Sequence, residues 1–281
     1  LVTTLHHDTY PAIDPTTADL SGKVVLVTGA SKGIGKAIAI AFAQAGVSGL
    51  VLLARSSTKA VEAECLAAQR PGKILKLLSL SVDVTDTAQV IDAAKHVKET
   101  FGRLDVAVNN AGYLTPPKPM AESDPYDWWK VWEFNIRGVY NVTQAFIPLL
   151  IECGGDKLIV NVASDLAHVM WRGFSVCITT KFAQLRLTEA IMADYGAEGV
   201  LAFVLHPCAT LTDLNSILPA DVQEFLTDTP ELAAHFIVWL VRKRRDWLGG
   251  RYVSALWDVN ELEGKKQEII EGNKLKMKLV L

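Results

Sequence analysis

The sequence has few cysteines and no long apolar run. Its 281 residues include four cysteines, Cys65, Cys153, Cys177 and Cys208, with no C-x-x-C pair among them. This spacing excludes a disulfide scaffold and a standard zinc site. We therefore expect free thiols, no bound metal and a reducing compartment, the cytoplasm. No uninterrupted apolar stretch approaches the length of a membrane-spanning helix, about 18 residues. We therefore expect no membrane association.

Net charge is also small. The chain carries 28 basic and 31 acidic side chains, a net charge of −3. A nearly neutral protein has no global basic field for nucleic acid or anionic lipid, so neither is an expected partner. Residues 1–20 lack the charged segment followed by an apolar one that marks a signal peptide. We expect them to form a solvated N-terminal arm that carries His6 and His7.

Apolar residues are abundant, at half of the chain, which suffices for a sizeable core. From Lys23 onward, short aliphatic runs alternate with longer amphipathic stretches. The short runs are typical of strands buried in a parallel sheet, and the longer stretches are typical of crossover helices. The alternation predicts an α/β fold, a single-domain doubly wound parallel sheet of Rossmann type. The predicted strands are residues 24–28, 50–54, 104–110, 157–164 and 200–206, with one more within 73–82.

The predicted helices lie between these strands, at residues 35–45, 57–69, 86–100, 127–151, 179–195 and 230–243. No Pro/Gly-rich linker and no repeat divides the alternation, so we predict one domain over residues 21–258. Residues 259–281 follow as a C-terminal helix and tail. The helix is expected to be solvated, and the period-two pattern of residues 275–281 predicts an edge strand or a docking tail.

A glycine-rich segment, T-G-A-S-K-G-I-G at residues 28–35, joins the first strand to the first helix. Gly29, Gly33 and Gly35 permit a tight turn, close approach of the backbone to a pyrophosphate, and close helix packing. The helix N-terminus adds N–H groups and the positive end of a dipole. Because the pattern lies at a strand-to-helix junction, it predicts a dinucleotide-binding loop, and residues 21–258 a dinucleotide-binding domain.

Arg55 follows the predicted second strand, where a dinucleotide fold contacts the adenosine ribose. An acidic residue there would bind the 2′-hydroxyl of NAD(H), whereas arginine suits the 2′-phosphate of NADP(H). Lys32, within the glycine loop, adds a second cation. We therefore expect NADP(H) rather than NAD(H). Asp83 and Val84, at the end of the third strand, are placed to contact the adenine.

Two motifs together resemble the short-chain dehydrogenase/reductase family: T-G-x-x-x-G-x-G at residues 28–35 and N-N-A-G at residues 109–112. The resemblance spans residues 20–258. The residues that match the cofactor loop of this family are Thr28, Gly29, Ser31, Gly33, Ile34 and Gly35. The residues that match the segment supporting the sheet and flanking the nicotinamide ribose are Asn109, Ala111 and Gly112.

The resemblance also implies roles for residues beyond these motifs. Asn135 matches the helix asparagine that holds a water of the family's proton relay. Ser164 matches the serine that hydrogen-bonds the substrate oxygen. Lys181 matches the lysine of the Tyr-x-x-x-Lys motif, which contacts the nicotinamide ribose. Pro207 and Thr212 match residues after the sixth strand, where Thr212 would meet the carboxamide.

Cys177 departs from the family pattern. It stands where the family has the tyrosine of Tyr-x-x-x-Lys, and no tyrosine occurs between Ser164 and Lys181. The tyrosine acts as a general acid, a role worth roughly 10²–10⁴-fold in rate. A thiol ends one atom beyond Cβ and does not reach where a phenol oxygen acts. Cys208 likewise replaces a family glycine. The cofactor site is thus retained while the catalytic site is changed.

Three hypotheses for the function follow. The first, which we predict, is an NADP(H)-dependent carbonyl reductase or alcohol dehydrogenase acting on a small organic, specialised-metabolite substrate. In it, water, Asp165 or His168 delivers the proton. The second is non-redox cyclisation, isomerisation or dehydration with Asp165, His168 and Lys181 as acid/base and charged groups. The third is a non-catalytic cofactor-binding subunit in which Cys177 is a small hydrophobe. The predicted catalytic residues are Asn135, Ser164, Lys181, Cys177 and Asp165.

Two further segments bear on the substrate and on assembly. Residues 207–229, rich in Leu, Thr, Asp and Pro, resemble the family's lid over the substrate. Trp128, Trp129 and Trp132 fall near helical spacing and are expected to pack in the core or between subunits. The alternative is that they form, with Tyr113 and Trp171, a wall for a large aromatic substrate. The expected partners are a small-molecule substrate and further copies of the chain, as a homodimer or homotetramer.

Overall fold

A parallel sheet forms the centre of the fold. The computed structural model describes residues 1–279. Its strands are β1 Val24–Thr28, β2 Gly49–Ala54, β3 Lys76–Ser81, β4 Val106–Asn109, β5 Leu158–Val162, β6 Leu201–His206 and β7 Tyr252–Ser254. They pair in the order β3-β2-β1-β4-β5-β6-β7, and every pair is parallel. The predicted doubly wound α/β fold is confirmed.

Helices cover both faces of the sheet. They are α1 Gly33–Gln44, α2 Lys59–Ala68, α3 Thr87–Phe101, α4 Pro125–Trp132, α5 Val139–Glu152, α6 Ser175–Tyr195, α7 Ala220–Gln223, α8 Pro230–Val241, α9 Val259–Gly264 and α10 Lys266–Glu271. In β1, Val25 and Val27 pack with α1 and α8, whereas Val24 and Leu26 pack with α3 and α5. Both faces of the strand are buried, which explains its uninterrupted aliphatic sequence.

The carboxyl edge of the sheet positions the functional residues. β1 lies between β2 and β4, so the chain leaves neighbouring strands in opposite directions there. In open α/β sheets this switch point forms a crevice that binds ligands. The glycine loop follows β1, and the N-N-A-G segment begins within β4.

The helix predicted over residues 127–151 is interrupted. α4 ends at Trp132, a π-helical turn spans Glu133–Gly138, and α5 begins at Val139. Such turns are rare and frequently occur at functional sites. Asn135 lies within this turn and is buried. The interruption therefore falls on a residue with a predicted catalytic role.

The N-terminal arm is packed onto the domain, so the prediction of a solvated arm is wrong. His6 Nε2 lies 3.0 Å from Asp258 Oδ2, and His7 Nδ1 lies 2.6 Å from Asp228 Oδ1. Ile13 has no exposed surface and belongs to the core cluster on the α1/α8 face. Burial of this side chain, together with the two histidine–carboxylate contacts, holds the arm in place.

The C-terminal segment also departs from prediction. α9 and α10 replace the expected solvated helix, and Leu262 and Ile269 are fully buried in the core. Residues 275–279 form no strand; Leu275 instead accepts a 2.9 Å hydrogen bond from the main chain of Tyr252. The rest of the predicted tail pattern, residues 280–281, lies outside the described residues. β7 was not predicted because three residues are too few for a recognisable pattern.

Candidate active site

The loop between β1 and α1 forms an open cradle of backbone. Gly29 and Gly33 have positive φ angles of 66° and 56°, a conformation that L-residues with a side chain rarely adopt. A Cβ at Gly35 would overlap the carbonyl oxygen of Gly29 and come within 2.5 Å of Asn110 Nδ2. α1 begins at Gly33, so its N-terminal N–H groups lie at the cradle. This arrangement suits a phosphate.

Asn110 holds the cradle against the end of β4. Its Nδ2 donates a 3.0 Å hydrogen bond to the carbonyl oxygen of Thr28. The hydroxyl of Thr28 accepts from the main-chain N–H groups of Asn110 and Ala111 at 3.0 and 2.9 Å. Sequence reasoning missed Asn110, although it is the second asparagine of N-N-A-G. The first, Asn109, is buried in the sheet and donates 2.8 Å to Asn161 Oδ1.

A cleft of about 310 Å³ extends from the cradle. Most of the predicted cofactor residues line it: Gly29, Ser31, Lys32, Gly33, Ile34, Gly35, Arg55, Val84, Ala111, Gly112 and Thr212. Asn109 and Asp83 do not line it. Asp83 instead caps the chain after β3 by accepting hydrogen bonds from the amide and hydroxyl of Thr85.

Two cations flank this cleft. The guanidinium carbon of Arg55 lies 4.6 Å from the ring centroid of Phe134, and its Nη1 lies 3.8 Å from Asp83 Oδ2. Lys32 Nζ lies 2.9 Å from Asp213 Oδ2, so this ion pair joins the glycine loop to the 207–229 segment. A glycine cradle with two nearby cations fits the phosphates of a dinucleotide.

A second cavity, of about 370 Å³, adjoins the cleft. Both are lined by Ile34, Asn110, Gly112, Tyr113, Thr212 and Leu214. All five predicted catalytic residues line the second cavity, namely Asn135, Ser164, Asp165, Cys177 and Lys181, and so does Pro207. The rest of its wall is largely apolar: Leu114, Leu166, Trp171, Phe174, Leu218, Val222, Phe225 and Leu226.

Asn135 is held by hydrogen bonds to its neighbours. Its Oδ1 accepts from the Tyr113 main-chain N–H at 2.9 Å, and its Nδ2 donates to the Tyr113 carbonyl at 3.1 Å. Its own main-chain carbonyl accepts a 2.7 Å hydrogen bond from Gln184 Nε2. Gln184 Oε1 in turn lies 3.5 Å from Lys181 Nζ. Gln184, a buried residue of α6 that sequence reasoning missed, thus bridges Asn135 and Lys181.

Lys181 lies between α6 and the end of β5. Its Nζ donates a 3.0 Å hydrogen bond to the carbonyl oxygen of Val162. Burial lowers the pKa of Lys181 to about 8, and the Cys177 thiol opposes this only weakly. Burial penalises the charged ammonium. Near pH 8 a larger fraction of this lysine is therefore neutral than of a lysine in water.

Ser164, Asp165 and His206 form a polar cluster at the ends of β5 and β6. Ser164 Oγ donates to Asp165 Oδ1 at 3.0 Å and accepts from the Leu166 N–H at 3.2 Å. The Asp165 main-chain N–H donates to His206 Nδ1 at 3.1 Å. His168 is exposed, packs edge-on against Tyr252 and does not line the cavity. The cavity histidine is thus His206, which sequence reasoning did not single out as catalytic.

Cys177 is a buried thiol on the apolar side of the cavity. It packs with Phe174, Ile178 and Leu218. Burial raises the pKa of Cys177 to about 11, because it outweighs the opposing effect of Lys181. The thiol is therefore neutral at physiological pH and is not an activated nucleophile.

Cys208 occupies a backbone conformation that favours glycine. Its φ angle is 152°, and its Sγ lies 2.7 Å from the hydroxyl oxygen of Thr210. Asn215 accepts from the amide and hydroxyl of Thr212 and donates 2.9 Å to the Thr210 carbonyl. These contacts order the start of the 207–229 segment, which also contains α7.

Comparison with known proteins identifies the family. The family model described as short chain dehydrogenase matches residues 23–223. The chain belongs to the short-chain dehydrogenase/reductase family. It is 50% identical to "Short chain dehydrogenase mpl6" of Monascus purpureus over 98% of this chain and 95% of that relative. The predicted family resemblance is confirmed.

Solved members of the short-chain dehydrogenase/reductase family share the fold. One is a 3-ketoacyl-(acyl-carrier-protein) reductase from Brucella melitensis complexed with NADH. It is 26% identical with a TM-score of 0.75, over 84% of this chain and 97% of that one. Another is a short chain dehydrogenase from Burkholderia cenocepacia J2315 in complex with NADP. It is 28% identical with a TM-score of 0.74, over 84% of this chain and 96% of that one. The chain is thus a member of an oxidoreductase family, and these two solved relatives hold nicotinamide cofactors.

Within residues 1–279, no helix combines the length and apolarity needed to cross a membrane. In the same residues, no three His, Cys, Asp or Glu side chains are grouped as metal ligands would be.

Proposed function

We propose that this short-chain dehydrogenase/reductase is an NADP(H)-dependent carbonyl reductase, or alcohol dehydrogenase, acting on a small apolar organic molecule. One observation carries the proposal: the glycine-lined cleft and the apolar cavity share a wall, and Ser164 and Lys181 line the cavity. When bound, a reduced nicotinamide supplies a hydride, and water or Asp165 would deliver the proton that completes the alcohol. Lys181 would hold the nicotinamide ribose, and Ser164 with Asp165 would face the substrate oxygen.

Arg55 and Lys32 support NADP(H) over NAD(H). Arg55 directly follows β2 and lines the cleft, where an acidic residue would instead favour the 2′-hydroxyl of NAD(H). Its guanidinium can bind a phosphate bidentately. Related solved structures hold either NADH or NADP, so the preference rests on these side chains of the chain itself.

The cavity wall supports an uncharged, apolar substrate. Its volume of about 370 Å³ falls within the range of small-molecule sites, roughly 300–1,000 Å³. Lys181 is turned to the end of β5 by its bond to the Val162 carbonyl, and the half-exposed carboxylate of Asp165 disfavours an anionic substrate. A compact specialised metabolite with one carbonyl and an apolar ring is the class we propose.

A non-redox activity is the second candidate, and Cys177 is the observation that favours it. No phenol stands four residues before Lys181 to protonate a reduced oxygen. Cyclisation, isomerisation or dehydration would need acid and base groups, which Asp165 and Lys181 supply, but no hydride.

Measuring NADPH absorbance and substrate conversion together separates the candidates. The purified chain is incubated with NADPH and a panel of cyclic and aromatic ketones. Loss of NADPH matched by alcohol formation supports the reductase. Substrate conversion without an absorbance change supports non-redox chemistry. Cofactor binding without any conversion supports a non-catalytic cofactor-binding subunit.

We also propose that the chain acts in the cytoplasm as a homodimer or homotetramer. Its cysteines Cys65, Cys153, Cys177 and Cys208 are all free thiols in the structure, which suits a reducing compartment. Light scattering of the purified chain tests the assembly, and a monomer would contradict it.

A further inference from the structure

The cavity beside Ser164 contains a histidine to which the family resemblance assigns no role. His206 is the last residue of β6, lines the cavity and is only 8% exposed. Its Nδ1 accepts a hydrogen bond from the Asp165 main-chain N–H at 3.1 Å. Because a backbone N–H only donates, the proton of the neutral ring must be on Nε2. The fold thus fixes one tautomer.

The charge state of the ring is set by its surroundings. Burial lowers the pKa of His206, and His168 adds to this effect, whereas Asp165 and Asp228 oppose it. The ring is therefore neutral at physiological pH, with a single N–H. His206 Nε2 has no hydrogen-bond partner within residues 1–279 and retains accessible surface.

The other polar side chains on the same wall each donate to a protein partner, although Asn135 and Lys181 carry more N–H groups than these contacts use. The hydroxyl of Ser164 donates to Asp165 Oδ1, and the carboxamide of Asn135 donates to the main chain of Tyr113. Lys181 donates to the main chain of β5. Among the groups clustered at the ends of β5 and β6, the His206 N–H is the donor that remains for a ligand.

We propose that His206 donates its Nε2–H to the oxygen atom of the bound substrate. The proposal rests on the proposed function for the nature of that oxygen, a carbonyl or alcohol. The contact is a hydrogen bond to the oxygen, without proton transfer from the ring. A neutral imidazole can polarise a carbonyl in this way. The Asp165 main-chain N–H acts as the positioning group that selects the donor tautomer.

Tyr113 and Trp171 also carry N–H or O–H donors on the cavity wall. His206 differs from them because it is bonded directly to the turn formed by Ser164 and Asp165. That turn is where the family resemblance places the substrate oxygen. Tyr113→Phe therefore serves as a control for a competing donor.

The test uses a ketone and its oxygen-free isostere, 4-phenylcyclohexanone and 1-methylene-4-phenylcyclohexane. Both are titrated by calorimetry into the full chain saturated with NADP⁺, so that no turnover occurs. The wild-type chain is expected to prefer the ketone by roughly threefold to tenfold, the value of one net hydrogen bond. Tyr113→Phe and His168→Gln should retain that preference.

Two substitutions at His206 separate donation to substrate from a structural role. A glutamine in its place would keep a donor near the Nε2 position, whereas an asparagine would keep an acceptor near Nδ1 for Asp165. His206→Gln should therefore retain the ketone preference, and His206→Asn should lose it. The reverse order would show a structural role and overturn the proposal. A wild-type chain without any ketone preference would also overturn it.

Nitrogen-15 NMR of the histidine rings provides a readout that needs no variant. His206 should be protonated at Nε2 in the wild-type chain, and its Nε2 resonance should shift with the ketone but not with the isostere. An Nδ1-protonated ring would overturn the proposal. A chain that passes these tests but oxidises no NADPH with any ketone would contradict only the proposed reductase function.

Discussion

Gln184 Nε2 donates a 2.7 Å hydrogen bond to the main-chain carbonyl oxygen of Asn135. The family resemblance implies that Asn135 holds a water of the proton relay. In this chain the Gln184 carboxamide also links Asn135 to Lys181, because its Oε1 lies 3.5 Å from Lys181 Nζ. A neutral carboxamide donates hydrogen bonds but does not pass protons on at physiological pH. Cys177 thus stands where the family has the phenol, and Gln184 occupies one of the two acceptor positions on the Asn135 carbonyl oxygen.

The presence of both Cys177 and Gln184 predicts that a tyrosine at position 177 does not by itself give rapid ketone reduction. We expect Cys177→Tyr to raise NADPH oxidation with 4-phenylcyclohexanone only slightly, because Gln184 would compete with a relay water for the Asn135 carbonyl. Cys177→Tyr combined with Gln184→Ala should be at least about tenfold faster than Cys177→Tyr, since a complete acid catalyst is worth roughly 10²–10⁴-fold. Gln184→Ala alone is the control and should bring no gain. Equal rates for Cys177→Tyr and the double variant would contradict this account.

Arg55, the cation that directly follows β2, predicts a preference for NADPH over NADH. Arg55→Ala should weaken NADPH binding by roughly tenfold or more, the value of hydrogen bonds to a charged group, and leave NADH binding nearly unchanged. Lys36→Ala is the matched control, because Lys36 pairs with Glu64 on the surface and does not line the cleft. Fluorescence titration with both cofactors measures the effect. An equal loss for NADPH and NADH in Arg55→Ala would count against NADP(H) specificity.

The close packing of the glycine loop makes a prediction about stability and binding. A Cβ at Gly35 would overlap the Gly29 carbonyl, so Gly35→Ala should lower the free energy of unfolding by about 1–3 kcal/mol and abolish cofactor binding. Gly264→Ala is the control, because a Cβ at Gly264 would meet nothing within 4 Å. It should be neutral or slightly stabilising. Urea unfolding with cofactor titration checks both, and an unaffected Gly35→Ala would refute the geometry.

The buried thiols predict an order of alkylation. Burial raises the pKa of Cys65 and Cys208 to about 12 and that of Cys177 to about 11. Because the thiolate is the reactive form, these three should resist iodoacetamide at pH 8, and the half-buried Cys153 should react first. Raising the pH toward 11 should ionise part of Cys177, and its alkylation should then begin. Peptide mass spectrometry measures the order, and the urea-unfolded chain, with all four labelled, is the control. Labelling of Cys177 as fast as Cys153 would show an activated thiol.

The sheet could be predicted from the sequence because its strands are buried on both faces. The β1 sequence, VVLVT, is uniformly apolar where both faces are covered, and its predicted and observed bounds coincide. β7 was not predicted because three residues are too few to show the alternation of a strand. The π-helical turn was not predicted because a π-helical turn and an α-helix have no different sequence pattern at Glu133–Gly138, and Pro148 lies ten residues beyond Gly138. The N-terminal arm was misjudged because its docking depends on distant partners such as Asp228 and Asp258.

In the candidate site, too, some residues could be recognised from local sequence and others could not. The glycine loop was recognisable because local backbone geometry demands glycines at fixed spacing. Gln184 and His206 could not be recognised because their roles depend on tertiary partners. Gln184 meets Asn135 across 49 positions of sequence, and His206 meets Asp165 across 41. A single glutamine in an amphipathic helix, or a histidine at a strand end, carries no local signal of such contacts.

The central claim is that hydride reaches a substrate carbonyl in the cavity although Cys177 replaces the phenol. The most direct test is to incubate the chain with NADPH deuterated at both C4 positions and 4-phenylcyclohexanone, and to examine the product by mass spectrometry and deuterium NMR. The account predicts 4-phenylcyclohexanol with one deuterium on the carbinol carbon. If the panel of ketones is returned unreduced, or is converted to products without deuterium while the chain binds NADPH, reduction at this site is contradicted.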